Sequence, residues 1–162
     1  MELIYKEALN KRDRNSELKQ RLSLYAELIY CALQNANENK ENAEEAVNIL
    51  IRKSSELKPY AKTTDLISNN TFGNDKNCHE HIVPCCVIKK HFFDKSANIT
   101  VEYIKTVLLK YGLRAIITKE ENKAVDIPYK KTMPNEWSID KKDNPLIRYE
   151  GIIKNIQIRN YH

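Results

Sequence analysis

The chain has 162 residues and a mass of 19.0 kDa, the size of one ordinary domain or of one domain with a helical extension. Apolar residues make up 41% of it and charged residues 30%, and no apolar run approaches the roughly 18 residues of a membrane span. These values exclude a membrane protein and a long disordered tail. The N-terminus lacks a signal-peptide pattern, and the three glycines are too few for a Gly-rich phosphate loop.

The net charge of +5 comes from one part of the chain. Residues 1–60 carry ten basic and ten acidic side chains, whereas residues 61–162 carry 17 and 12. A basic excess of this kind suits a polyanionic partner, because Lys and Arg displace counterions from phosphates. It also describes an ordinary solvated surface, so charge alone leaves both interpretations open.

The four cysteines are Cys31, Cys78, Cys85 and Cys86. Their spacing forms no disulfide framework, so we expect reduced thiols and a cytoplasmic protein. The abundance of Lys, Asn and Ile suggests an AT-rich genome, such as that of a low-GC bacterium or its phage.

Apolar side chains recur at helical spacing from Leu18 to Ile29, and this pattern predicts a helix from Ser16 to about Asn35. A second helix is predicted from Glu41 to about Leu57, where Pro59 ends it. We therefore expect a helix-rich α+β fold, in which residues 1–60 form a helical hairpin region and residues 61–162 form a small basic α+β domain.

Several elements are predicted in the second region, after a turn-rich boundary at residues 60–77. The segment Val87–Phe93 fits a helix or a strand equally well. The remaining predictions are a helix at Val101–Tyr111 ended by Gly112, a strand at Leu113–Thr118, a capping box at Thr118–Glu121 that opens a short helix, turns near Trp137 and Asp143, and a last strand or helix within Ile147–Ile158.

The densest chemical feature lies between residues 78 and 91, which contain six of the eight cysteines and histidines. Within it, the string Glu80-His81-Ile82-Val83-Pro84 resembles the Asp-His-Ile-x-Pro element of HNH, or His-Me finger, endonucleases. The resemblance implies that His81 is the general base that deprotonates the attacking water, and that Glu80 is a metal ligand. A neutral imidazole and one hard cation suit that chemistry.

In that family the last metal ligand lies on the helix that follows the hairpin of the finger. The helix predicted at Val101–Tyr111 contains no His, Asn or Asp, so the resemblance implies Asp94 or Asn98, just ahead of it, as the downstream ligand. Mg²⁺ or Mn²⁺ is the ion expected with such oxygen ligands.

Two other interpretations of the cluster stay open. Cys78, His81, His91 and either Cys85 or Cys86 could supply four zinc ligands, although their spacing is not that of a common zinc motif. Alternatively, the segment is simply buried, since a free cysteine behaves as a small apolar residue. A nuclease fold that lost its ligands and was kept for binding belongs to this second interpretation.

Basic and aromatic residues suggest where nucleic acid would bind. Trp137 could equally be a core anchor, and Arg148 could form an internal ion pair, for example with Asp143. The candidate nucleic-acid-binding residues are Lys89, Lys90, Lys130, Lys131, Trp137 and Arg148.

The sequence thus predicts a metal-dependent endonuclease that hydrolyses phosphodiester bonds in nucleic acid. The rival prediction is a non-enzymatic binding protein, such as a phage or bacterial defence-related inhibitor or a nucleic-acid-binding factor with a degenerate nuclease-like core. Nucleic acid is the expected partner of the first, a protein partner is possible for the second, and no membrane is expected for either.

Overall fold

The computed structural model describes residues 15–57, 60–63, 77–153 and 156–159, and it confirms the helix-rich α+β class. None of the helices within these ranges is long and apolar enough to cross a membrane. The elements in chain order are α1 (Ser16–Gln34), α2 (Lys40–Ser55), β1 (Tyr60–Thr63), β2 (Asn77–His81), α3 (Cys85–Asp94), a 3₁₀ turn (Ser96–Asn98), α4 (Val101–Tyr111), β3 (Arg114–Thr118), α5 (Lys119–Tyr129), a 3₁₀ helix (Pro145–Tyr149) and β4 (Ile156–Arg159).

Helices α1 and α2 form the predicted hairpin. Each begins at an asparagine N-cap, Asn15 or Asn39, whose side-chain oxygen accepts a hydrogen bond from a backbone N–H three residues later at 3.0 Å. Helix α1 buries one stripe against the rest of the protein, and α2 ends at Ser55, two residues before the predicted end. The buried residues of α1 are Leu18, Leu22, Ala26, Ile29 and Leu33.

Helices α3 and α4 complete this helical layer. The segment that the sequence left undecided is helix α3, which begins directly after Pro84. Thr100, rather than Asn98, caps α4 by accepting the Tyr103 N–H at 3.2 Å. All four helices contribute to one apolar core, which therefore crosses residue 60. The predicted boundary at residues 60–77 lies largely outside the described residues, and the division into two domains stays a prediction.

Four strands form one sheet in the order β2-β3-β1-β4. Strand β1 runs parallel to β3 and antiparallel to β4, whereas β2 and β3 are antiparallel neighbours. In that last pair Cys78 lies opposite Ile117 and His81 lies opposite Arg114. The chain between these two strands, residues 82–113, contains both α3 and α4.

A second, smaller core joins β2 and β3 to α5 and to the 3₁₀ helix at Pro145–Tyr149. Helix α5 begins immediately after β3, through the predicted capping box, in which the Thr118 and Glu121 side chains each accept the other's backbone N–H. The result is a strand–strand–helix unit whose two strands are far apart in sequence. Its buried residues are Ile82, Leu113, Ala115, Ile117, Val125, Leu146, Tyr149 and Ile153.

Candidate functional site

Glu80 and Arg148 meet inside the strand–strand–helix unit. The Arg148 Nη1 lies 2.7 Å from Glu80 Oε1, and the arginine side chain is 0% exposed while that of Glu80 is 20% exposed. The same guanidinium donates to the backbone oxygen of His81 at 2.7 Å and to that of Tyr129 at 2.8 Å. Arg148 therefore forms an internal ion pair, with Glu80 and not Asp143, and a bound phosphate cannot reach it.

Unpartnered polar atoms concentrate around this ion pair. In the part of the chain that the structure describes, four buried side-chain nitrogen or oxygen atoms have no hydrogen-bond partner. Three belong to this unit, namely Asn122 Oδ1, Arg148 Nε and Tyr149 Oη, whereas Tyr111 Oη lies in the helical core. Buried polar groups are nearly always hydrogen-bonded, so these three atoms are exceptions that lie within one unit.

Helix α5 brings oxygen donors towards Glu80. Asn122 and Asp126 are four residues apart and so share one face of the helix, with Asn122 Nδ2 3.5 Å from Asp126 Oδ2. Burial raises the pKa of Glu80 above its ordinary value although Arg148 opposes this, and the negative charge of Asp126 adds to the rise. Two carboxylates and one amide oxygen thus lie in one partly buried region.

These donors are of the chemical kind that hard divalent cations bind, although the Glu80 carboxylate is already paired with Arg148. Carboxylate and amide oxygens are the ligands that Mg²⁺ and Mn²⁺ prefer, and the unpartnered Asn122 Oδ1 is such an oxygen. Among the described residues no group of three or more His, Cys, Asp and Glu side chains could hold a metal ion. A metal at this site would therefore need Asn122 beside Glu80 and Asp126.

His81 ends strand β2, and its imidazole has different neighbours from the Glu80 carboxylate, because adjacent strand residues point to opposite faces. Burial, together with the positive charges of Arg114 and Arg52, lowers the pKa of His81 to about 4. The imidazole is therefore neutral at physiological pH, and the same shift makes it a weaker proton acceptor than an ordinary histidine.

Asp94 and Asn98 line a cavity that Glu80 does not line, and their role as metal ligands stays a prediction. Asp94 ends α3 and forms an ion pair with Lys90, and both it and the exposed Asn98 line a separate cavity of about 520 Å³. At 1.5 Å per residue, Asp94 at the end of helix α3 lies roughly 13 Å from the first residue of that helix, and Asn98 follows in the 3₁₀ turn. The helix that directly follows strand β3 is α5, and it carries Asn122, a residue that the sequence analysis did not single out.

The cysteines and histidines of the dense segment are distributed over different surroundings. Cys78 contacts the backbone oxygen of Thr118, Cys86 that of Lys131, and His91 Nε2 lies 2.8 Å from Tyr103 Oη. Burial raises the pKa of the Cys78 and Cys85 thiols to about 11, so both are protonated at neutral pH. All four cysteines are free thiols.

Internal contacts occupy several of the predicted nucleic-acid-binding residues. Lys89 pairs with Glu44 at 2.7 Å, and Lys90 pairs with Asp94. Trp137 is half-buried, donates from Nε1 to the Asn144 oxygen at 3.0 Å and meets the Tyr111 ring edge-on. It is therefore anchored from within the fold. Lys130 and Lys131, in contrast, are exposed beside the end of α5.

Comparison with models of protein families, with curated proteins and with solved structures finds no match to this chain. The residues themselves must therefore carry the functional argument.

Proposed function

We propose that the protein is an HNH-like, metal-dependent endonuclease that hydrolyses phosphodiester bonds in nucleic acid. The observation that carries this proposal is the unpartnered Asn122 Oδ1 on helix α5, which directly follows strand β3; Asn122 Nδ2 lies 3.5 Å from Asp126 Oδ2, and the charge of Asp126 in turn acts on Glu80. That helix is where the family holds its last metal ligand. Asn122 thereby supplies the ligand that the segment Val101–Tyr111 lacks.

Each residue of the site has a distinct task in this reaction. Glu80, Asn122 and Asp126 would hold the divalent cation, which would supply positive charge to stabilise the phosphate during hydrolysis. The family element implies that His81 would accept the proton of the attacking water, although its imidazole lies on the opposite face of β2 from the Glu80 carboxylate, near Arg114 and Arg52. The exposed Lys130 and Lys131 contact phosphates outside the site without reading sequence.

A second candidate is a non-enzymatic nucleic-acid-binding protein with a degenerate nuclease-like core. The observation that favours it is the Arg148 guanidinium at 2.7 Å from Glu80, because one cation already neutralises that carboxylate. In this alternative the protein binds phosphates through its basic residues, and the buried site only stabilises the fold.

A cleavage assay separates the two candidates. Supercoiled plasmid, single-stranded DNA and RNA are incubated with the protein in Mg²⁺, in Mn²⁺ and in EDTA. We expect cleavage in either metal and none in EDTA, and a loss of about 10²-fold or more in Asn122→Ala and His81→Ala. The matched controls are Asn98→Ala and Asp94→Ala, whose exposed side chains lie outside the site and whose activity stays at the wild-type level.

Two results would reject the nuclease. Equal nicking by Asn122→Ala and the wild type would mean that another protein or another site cleaves the substrate. Salt-dependent binding without cleavage of any of the three substrates would support the degenerate, non-enzymatic alternative.

A further inference from the structure

We propose that Ile127 is an apolar wedge that enters the minor groove of double-stranded DNA and partly unstacks two neighbouring base pairs, while the lysines around it contact phosphates. Ile127 lies in the last turn of α5 and is 82% exposed, the largest value among the large apolar residues that the structure describes. The inference rests on the proposed function only in taking nucleic acid as the partner, because it requires neither a metal ion nor cleavage.

Positive charge surrounds this isoleucine on the outward face of α5. Lys123 lies one turn before Ile127, and Lys130 and Lys131 follow the last residue of the helix directly, three and four positions after the isoleucine. All three lysines are exposed, and none of them forms an ion pair with another described residue. The acidic Glu120 lies two turns away from Ile127, about 10 Å along the helix. The surroundings of the isoleucine therefore suit a polyanion.

The opposite face of α5 is packed against the protein, which fixes Ile127 on the outside. Val125 is fully buried in the smaller core, so the helix cannot rotate Ile127 inwards without exposing that valine. A β-branched side chain in a helix occupies mainly one rotamer, and a following proline, here Pro128, restricts the backbone as well. The wedge is thus held in one conformation before it meets its partner, which lowers the entropy cost of binding.

A single apolar tip among lysines matches the minor groove better than it matches a lipid surface. Proteins that kink DNA insert one Ile, Leu, Phe or Met side chain between base pairs, and basic residues hold the adjacent phosphates. Binding to an anionic membrane instead requires a helix with a broad apolar face. The exposed side chains that lie next to Ile127 on this face of α5 are lysines and the small Ala124. The charges and the shape therefore favour duplex DNA.

The test uses the full-length protein and a DNA duplex that carries the fluorescent base 2-aminopurine at several positions, in EDTA so that metal-dependent cleavage cannot occur. Binding of the wild type should raise the fluorescence, because unstacking relieves the quenching of the base. Ile127→Ala should abolish this rise and weaken binding about tenfold. Its slope of log affinity against log salt should equal that of the wild type, because no charge is removed.

Two further variants control for size and for position. Ile127→Leu keeps an apolar tip, so it should retain both the fluorescence rise and the affinity. Ile49→Ala removes an isoleucine of α2 that is 48% exposed, and it should behave as the wild type. Both isoleucines are exposed, so these substitutions should leave the fold intact, and circular dichroism checks this for each variant.

Equal fluorescence and equal affinity for Ile127→Ala and the wild type would overturn the inference. Wild-type protein that binds no duplex DNA, or that binds it without a rise in fluorescence, would also overturn it, even if the protein cleaves DNA in Mg²⁺. Ile127-dependent sedimentation with vesicles of phosphatidylserine and phosphatidylcholine, without unstacking of DNA, would assign this face to a membrane instead. Unstacking in EDTA by a protein that cleaves nothing in Mg²⁺ would support the wedge and reject only the nuclease.

Discussion

Thr118 and Glu121 cap each other where β3 passes into α5. Thr118 Oγ1 accepts the Glu121 N–H at 3.1 Å, and Glu121 Oε2 accepts the Thr118 N–H at 2.8 Å. The turn between strand and helix is therefore held by two reciprocal hydrogen bonds. Asn122 follows Glu121 directly, so this cap sets the direction in which the proposed metal ligand leaves the strand.

Removing the cap should destabilise the protein. Thr118→Ala leaves the Glu121 N–H without its acceptor, and we expect the free energy of unfolding to fall by about 1 kcal/mol. Urea denaturation followed by circular dichroism measures the change. Thr118→Ser keeps the hydroxyl, so its free energy of unfolding should stay within about a few tenths of a kcal/mol of the wild-type value. Equal stability of the alanine and serine variants would contradict the cap.

The Glu80–Arg148 ion pair should show strong coupling. Arg148→Met leaves a buried carboxylate without its partner, and we expect a loss of about 3–5 kcal/mol in the free energy of unfolding. The double variant Glu80→Gln/Arg148→Met removes both charges and should recover much of that loss. A double-mutant cycle completed with Glu80→Gln measures the coupling, and additive losses would mean that the two side chains do not interact in solution.

The lowered pKa of His81 predicts acid sensitivity. The folded protein binds the imidazole proton only near pH 4, whereas the unfolded chain binds it near pH 6.5. The stabilisation is therefore complete above pH 6.5 and is lost as the pH falls towards 4. The free energy of unfolding is measured by urea denaturation in EDTA at pH 7 and at pH 5. From pH 7 to pH 5 it should fall by on the order of 1–2 kcal/mol more in the wild type than in His81→Asn. Parallel pH profiles for both proteins would contradict the burial of this ring.

Trp137 should act as a structural anchor. Trp137→Phe keeps an aromatic ring near Tyr111 but loses the hydrogen bond to the Asn144 oxygen, so we expect a loss of about 1 kcal/mol in the free energy of unfolding. Nucleic-acid affinity should stay unchanged, which a fluorescence anisotropy titration with labelled single-stranded DNA measures. A large loss of affinity with unchanged stability would instead indicate stacking of a base on the indole.

The exposed lysines should contribute to nucleic-acid binding, unlike their internally paired counterpart. Lys130→Ala/Lys131→Ala should lower affinity and should reduce the slope of log affinity against log salt by roughly one for each phosphate that the variant no longer neutralises. Lys89→Ala removes a lysine that is bonded to Glu44 and should leave that slope unchanged. Equal salt-dependence slopes for the wild type, the double variant and Lys89→Ala would mean that the end of α5 does not contact nucleic acid.

Local patterns are sufficient to predict most helices. The apolar periodicity and capping residues of α1 and α4 depend on side chains within a few turns of one another, so the predicted bounds agree with the structure to within a residue. Gly112 ends α4 as predicted, and its φ is −77°, outside the left-handed region. The reason for glycine is a close approach, because a Cβ there would lie 2.6 Å from the backbone oxygen of Leu108.

The site is harder to predict because its parts are distant in sequence. Glu80 and Asn122 belong to one unit only because β2 pairs with β3 across residues 82–113, and a pairing of this kind has no local signal. The first strong helical pattern after Glu80-His81-Ile82-Val83-Pro84 is that of α4. The downstream ligand is therefore expected just ahead of α4, at Asp94 or Asn98. The pattern that does predict α5 is local: a strand is followed directly by the Thr118–Glu121 capping box, which indicates the start of a helix.

The insertion of α3 and α4 between the paired strands also determines how the protein can be divided. A fragment that begins at Asn77 and ends at Tyr129 would contain both strands and α5, but α3 and α4 would then expose the apolar surfaces that they bury against α1 and α2. Such an excised piece would aggregate rather than remain monomeric. Engineering that shortens or transplants this strand pair must replace the connecting helices with a direct turn.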